Sequence, residues 1–151
     1  MFDEPVRKIM LKKKMLTGRP GELVAKAAQR MASRSVGAML VIESGRLIGI
    51  FTERDVLFRV VAKGLDAKRT RVAEVMTPKP VTVDADLPLG YALVVMHREG
   101  FRHLPVVKDG KAVGIISARI ALDPELEEFV SETSRRKHFA RMAAREKSPP
   151  R

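Results

Sequence analysis

The pattern of apolar and polar positions along this 151-residue chain occurs twice. Residues 36–52 align with residues 101–117 without a gap, at an offset of 65 positions. Upstream, the apolar residues of a helical stripe match at the same offset, and the pairs are Val24 with Leu89, Ala27 with Ala92, and Met31 with Met96. A front segment, 6–10, matches 72–76 at an offset of 66. Such a repeat predicts a duplicated unit of about sixty residues.

Each copy predicts the element order β-α-β-β-α. Apolar residues at spacings of three and four predict a helix in each copy, at Leu23, Ala27 and Met31 and at Leu89, Leu93 and Met96. Two short apolar strands follow in each copy, at 38–42 and 47–51 and at 104–107 and 113–116. A second helix is predicted to begin at Thr52 in the first copy and at Ser117 in the second. In the first copy it ends near Gly64, because glycine is common directly after the last residue of a helix.

The repeat therefore predicts an α+β fold of two tandem units. Residues 1–66 form the first unit with a basic N-terminal segment, residues 67–123 form the second, and residues 124–151 form a C-terminal helix with a basic tail. Asp123 and Pro124 are a typical helix start. We expect the first half of that helix to have one apolar face, and its basic second half to be exposed and to fray before the end of the chain.

The net charge of +11 is concentrated at the two ends of the chain. Residues 1–19 hold six basic and two acidic side chains, and residues 133–151 hold seven and one. The remaining residues are close to neutral. A basic balance is typical of proteins that contact nucleic acid or another anionic partner. Here it predicts such contacts only for the terminal segments, whose simplest interpretation is a solvated tail.

The chain contains no cysteine, which excludes disulfides, cysteine-ligated metals and thiol chemistry. The longest apolar run is the six residues 91–96, so we expect neither a signal peptide nor a membrane span. These features predict a cytoplasmic protein. Motifs for phosphate loops, dinucleotide binding or nucleophilic hydrolysis are absent, and the three histidines lack metal-pair spacing. We expect no enzymatic activity and no metal.

The duplicated motifs resemble a tandem pair of cystathionine-β-synthase (CBS) domains. The resemblance rests on the Val-x-x-Ile/Val-Met openings, the Arg-His-Leu-Pro-Val-Val segment at 102–107, and the two Gly-Ile-Ile/Phe-Ser/Thr turns. It implies that the two units pack through their sheets about a pseudo-two-fold axis. It further implies a cleft that binds an adenosine-containing ligand such as AMP, ADP or ATP, a regulated partner protein that this chain does not identify, and a homodimer.

Thr52 and Asp55 are the first candidate binding residues. Thr52 ends an apolar strand at a helix start, where free N–H groups favour an anion. The Asp55 carboxylate offers two acceptor oxygens to a ribose diol. The same Thr-x-x-Asp spacing is also a capping box that satisfies the helix itself. Both interpretations stay open at this point, and the resemblance favours the ligand.

Other walls of this cleft follow from the resemblance. The opening of the second unit implies that Thr70, Val72 and Ala73 flank the base. The facing strand contributes Phe101, Arg102 and His103. Arg102 is the candidate for phosphate because its guanidinium is permanently charged. His103 either adds a donor or packs against the partner strand, and nearby Lys79 has the pattern of a solvated charge.

The second copy differs at the position that matters most. Ser117 keeps the hydroxyl of Thr52, but Ile120 stands where Asp55 stands in the first copy. Isoleucine offers no acceptor to a sugar. We therefore expect one competent site and one degraded site. The alternatives to a nucleotide sensor are a nucleic-acid-binding protein that acts through its basic termini and a structural dimerisation module without a ligand.

Overall fold

The structure, a computed structural model, describes residues 2–11 and 15–121. Its elements in chain order are α1 Val6–Ile9, β1 Thr17–Gly18, α2 Val24–Ser33, β2 Ala38–Glu43, β3 Arg46–Thr52, α3 Glu53–Asp55 continued by a π-helical turn Val56–Val61, α4 Val72–Val75, β4 Thr77–Pro78, β5 Val83–Asp84, α5 Leu89–Glu99, β6 His103–Lys108, β7 Lys111–Ser117 and α6 Ala118–Ala121. The expected C-terminal helix and tail at 124–151, on which the nucleic-acid alternative depends, lie outside the described residues.

The predicted α+β fold of two β-α-β-β-α units is confirmed. In the first sheet the strand order is β1-β2-β3-β4, and in the second it is β5-β6-β7. Each unit pairs its short first strand parallel to the next strand, and each then forms an antiparallel hairpin. The hairpin glycines Gly45 and Gly110 have φ values of +76° and +74°, a region that glycine enters at little cost. No helix among the described residues has the length and apolarity that a membrane crossing requires.

The apolar face of α2 begins one residue later than the spacing predicts. Leu23 precedes the helix in an extended conformation and is 41% exposed. Val24 is fully buried and takes the expected place on the core side, together with Ala27 and Met31. The predicted helix was right, and its first apolar residue was wrong because a helix start is set by the local backbone as well as by periodicity.

The opening helices of the two units are exchanged. Val6, from the front of the first unit, is fully buried in the core of the second unit. Val72, from the front of the second unit, is fully buried in the core of the first. Backbone hydrogen bonds show the same exchange. Val6 N donates to Leu87 O of the second unit at 2.8 Å, and Val72 N donates to Glu22 O of the first unit at 2.8 Å. Each core is therefore completed by sequence from the other half.

Two glycines make room for this exchange. Gly49 in β3 lies against the Met76 side chain, and Gly114 in β7 lies against Met10. A Cβ atom at Gly114 would stand 2.7 Å from the Met10 sulfur, which is inside van der Waals contact. The methionine that ends each opening segment and the glycine in the strand are thus complementary parts of one contact, which explains why both recur in the repeat.

A third apolar cluster joins the two units through their sheets. Its buried members come from β2, β3 and β7, and they are Ala38, Leu40, Ile50 and Ile115. This packing is the sheet-to-sheet arrangement that the resemblance implied. It brings the end of β3 close to the start of β6, and the recess between these two strand ends is the candidate site.

Candidate functional site

A cavity of about 410 Å³ lies between the two units. Its first wall is the end of β3 with the following helix, and its second wall is the chain leading into β6. A third wall comes from the segment directly after β4, which includes Lys79 and Val81. The volume is within the ordinary range for small-molecule sites. Three separate parts of the chain therefore meet at one recess.

The alternation of β3 explains why Thr52 reaches this cavity. Successive side chains of a strand point to opposite faces. Phe51 is fully buried in the core of the first unit, while Ile50 and Thr52 on either side of it line the cavity. The core thus fixes the position of the strand end that carries the polar groups.

Asp55 forms the capping box that its spacing allowed. Thr52 N donates to Asp55 Oδ2 at 2.8 Å, and the Thr52 hydroxyl donates to the same oxygen at 3.2 Å. Asp55 N donates in return to Thr52 Oγ1 at 3.4 Å. Asp55 also lines the cavity, although it is only 7% exposed. The cap engages Oδ2, so the cap and a cavity role for the other oxygen are compatible.

Arg59 connects Asp55 to the third wall. Its Nε lies 3.5 Å from Asp55 Oδ1. Its Nη1 donates to the carbonyl oxygens of Val75 at 3.2 Å and Met76 at 2.9 Å. These carbonyls end α4 and precede the segment that closes the cavity. Arg59 was not singled out from the sequence, and its position one helical turn after Asp55 is the signal that could have indicated it.

The second wall carries Phe101, Arg102 and His103, as expected. Arg102 Nη1 lies 3.8 Å from Glu53 Oε1 across the cavity, and both side chains are more than half exposed. At such exposure the pair contributes little stability. Burial lowers the pKa of His103, the Glu53 carboxylate raises it, and the Arg102 guanidinium lowers it, with a net decrease from the ordinary value of 6.5.

The lowered pKa of His103 predicts a loss of stability in mild acid. The unfolded chain takes up a proton near the ordinary value, whereas the folded protein resists it, so the free energy of unfolding falls as the pH drops below about 6.5. His103→Gln should reduce this fall, as measured by urea unfolding at about pH 7.5 and pH 5. His97→Gln, at an exposed position of α5, is the control. Equal pH dependence in wild type and His103→Gln would contradict the prediction.

Thr70, Val72 and Ala73 lie apart from the residues that line this cavity. The Thr70 hydroxyl donates to Asp66 O at 2.8 Å, and its carbonyl accepts from Val24 N at 2.9 Å. Val72 is in the first core, and Ala73 is exposed. The opening of the second unit does approach the site, but its contribution comes several residues later, after β4.

The matching region of the second unit repeats part of this framework. Ser117 ends β7 and is half-buried. Ala118 N donates to Arg102 O at 2.8 Å, and the equivalent Glu53 N donates to Gly37 O at 3.0 Å. Position 120 belongs to α6, but the Ile120 side chain is outside the described part of the structure, as are residues 12–14. The expectation of a degraded second site therefore stays a prediction.

Two repeated β-α-β-β-α units that pack through their sheets and enclose a cavity define a duplicated α+β module. The family model "CBS domain" matches residues 6–62 and 72–123, and the chain belongs to this family. The CBS domain-containing protein CBSCBSPB2 of Arabidopsis thaliana is 40% identical over 115 residues, which cover 76% of this chain and 21% of the plant protein. The chain thus spans about a fifth of the length of this curated relative.

Solved structures agree with the fold. A conserved protein from Pyrococcus horikoshii is 30% identical, with a TM-score of 0.77, and the match covers 82% of this chain and 93% of that one. CBSX2, whose crystal structure is a complex with AMP, is 25% identical, with a TM-score of 0.69 and a coverage of 82% of this chain and 97% of that one. These proteins share the paired-unit architecture.

Proposed function

We propose that the protein is a non-enzymatic regulatory module that binds an adenosine-containing ligand of the AMP, ADP or ATP class between its two units. The observation that carries the proposal is the inter-unit cavity of about 410 Å³ that Thr52 and Asp55 line. The similarity to CBSX2, which was crystallised with AMP, supports the choice of ligand class. Binding of the ligand in the cavity would be communicated to the regulated partner protein.

The chemistry of the cavity wall suits the parts of such a ligand. Asp55 Oδ1, which faces Arg59 Nε at 3.5 Å, would accept a hydrogen bond from a ribose hydroxyl, because Oδ2 is engaged in the cap. Arg102 would donate to phosphate, since its guanidinium presents fixed, charged donors. Phe58 and Phe101 supply aromatic surface on which an adenine ring could stack.

A signal requires that binding change the relative packing of the two units. A ligand shifts such an equilibrium only through a difference in its affinity for the two arrangements. The cavity meets this requirement because its walls come from both units, so a change in their separation changes the contacts with a ligand. A partner that touches both units would detect the difference.

Association into a homodimer is part of the same proposal. Two helical faces expose large apolar side chains: Leu57, Phe58 and Val61 on the π-helical turn, and Tyr91 and Val94 on α5. Contiguous apolar patches on a surface are typical of protein interfaces. A second copy that covers these faces would remove them from water.

Thermal unfolding in the presence of AMP, ADP or ATP tests the binding proposal. A ligand at about 100 times its Kd raises the free energy of unfolding by about 2.7 kcal/mol. We expect at least one of the three nucleotides to raise the midpoint of the wild type and to have little effect on Asp55→Ala. Asp55→Asn keeps an acceptor for the cap. A loss of the nucleotide effect in this variant would therefore report a loss of binding and not a loss of the helix start.

Asp109→Ala is the matched control, because Asp109 lies in the β6–β7 turn and is exposed. It should respond to nucleotide as the wild type does. If none of the three nucleotides shifts the wild-type midpoint, the proposed function is wrong. If Asp55→Ala responds as strongly as the wild type, Asp55 acts only as a cap.

A further inference from the structure

Lys79 has an unusual backbone conformation for its sequence. It stands between Pro78 and Pro80, and its φ is +46°. A residue before proline is normally driven to extended backbone with negative φ, and non-glycine residues seldom enter the left-handed region. The surrounding structure imposes this conformation, since Lys79 N donates to Ile48 O at 3.0 Å and Thr77 and Pro78 pair with β3.

The consequence of this conformation is the position of a positive charge. Lys79 lines the cavity between the two units, on its third wall. Strained backbone of this kind persists where the surroundings determine it, and it is concentrated at functional sites. Lys79 is exposed and is one of the residues that line the cavity, so its side chain is open to solvent and to a ligand in the cavity.

Three arginine side chains also line the cavity, Arg54, Arg59 and Arg102, and of these only Arg54 shares with Lys79 the lack of an acidic partner among the described residues. Arg59 faces Asp55 and donates to two carbonyls, and Arg102 lies opposite Glu53. Among the residues that the structure describes, the Lys79 ammonium has no hydrogen-bond or ion-pair partner. The positive charge of Lys79 on the third wall is therefore not neutralised by any described residue. It would attract an anionic group of a ligand.

We propose that Lys79 makes the cavity selective for ligands that carry a phosphate group over the corresponding uncharged nucleoside. The inference rests on the proposed function, because it concerns the ligand of the same cavity. Lysine contacts phosphate as a point charge with three rotatable donors. Charge-assisted hydrogen bonds of this kind change affinity by about tenfold or more. Selectivity for the phosphate, and not for the base or the ribose, is the property assigned to this residue.

Calorimetric titration with AMP and with adenosine as probes tests this assignment. We expect the wild type to bind AMP more tightly than adenosine. Lys79→Gln, which keeps most of the side-chain length and removes the charge, should bind AMP about tenfold more weakly and adenosine with nearly unchanged affinity. Lys79→Arg, which keeps the charge, should retain the preference for AMP.

Lys111→Gln is the matched control. Lys111 is an exposed lysine at the start of β7 and is not among the residues that line the cavity, so this variant removes the same charge elsewhere. It should retain the wild-type affinity for AMP. An unchanged ratio of AMP to adenosine affinity in Lys79→Gln, or an equal loss for both probes, would overturn the inference and leave the proposed function standing. Failure of the wild type to bind AMP would also overturn the inference, whereas the proposed function fails only if AMP, ADP and ATP all fail to bind.

Discussion

Phe51→Ala is expected to lower the free energy of unfolding by about 3–5 kcal/mol, which is a large part of the stability of a small domain. Phe51 is fully buried in the first core, which also contains Val24 and Ala27 of α2 and Val72 of the exchanged opening. Truncation to alanine removes its transfer free energy and leaves a cavity that the strand cannot close. Urea unfolding of the two proteins measures the difference.

The same substitution at Phe2 is the control for Phe51→Ala. Phe2 is 57% exposed and belongs neither to the cavity wall nor to the proposed dimer faces, so Phe2→Ala should change the stability by no more than about 0.5 kcal/mol. A similar effect at the two positions would mean that the first core is not built around Phe51. It would also remove the reason for the fixed position of Thr52, which follows Phe51 in β3.

The repeat made the fold accessible from the sequence. Periodicity located α2 and α5 and the four long strands, and the observed strand bounds differ from the predicted ones by at most two residues. Duplication supplied what periodicity lacks, because two matching copies exclude accidental patterns. The exchange of opening helices could not be predicted in the same way. The sequence around Val6 or Val72 does not determine which of the two cores buries it.

The candidate site was accessible only in part, and the reason is chain geometry. Thr52 and Asp55 occur in one motif, and its spacing defines both a cap and a cavity position. Arg59 and Lys79 reach the cavity through contacts with other segments, such as the carbonyls of Val75 and Met76. The left-handed conformation of Lys79 is a product of strand pairing. Local sequence reasoning has no access to such contacts.

The exchange of opening segments has an energetic consequence for each unit. Val72 lies after the polar linker at 65–71, yet it is fully buried in the core that contains Met39 and Val60 of the first unit. Its truncation to alanine removes about two methylene equivalents of buried surface, and the resulting void adds a further term. The first unit should therefore lose stability through a residue that the repeat assigns to the second.

Val72→Ala is expected to lower the free energy of unfolding by about 2–3 kcal/mol and to lower hydrogen-exchange protection first in β2 and β3. Val6→Ala should show the converse, with earlier loss of protection in β6 and β7, because Val6 is buried in the second core. Leu65→Ala, at a position that is 44% exposed and lies outside the proposed dimer faces, is the control for loss of an exposed apolar side chain. Loss of protection that starts in the second sheet of Val72→Ala would contradict the exchange, because it would mean that each opening stabilises its own unit.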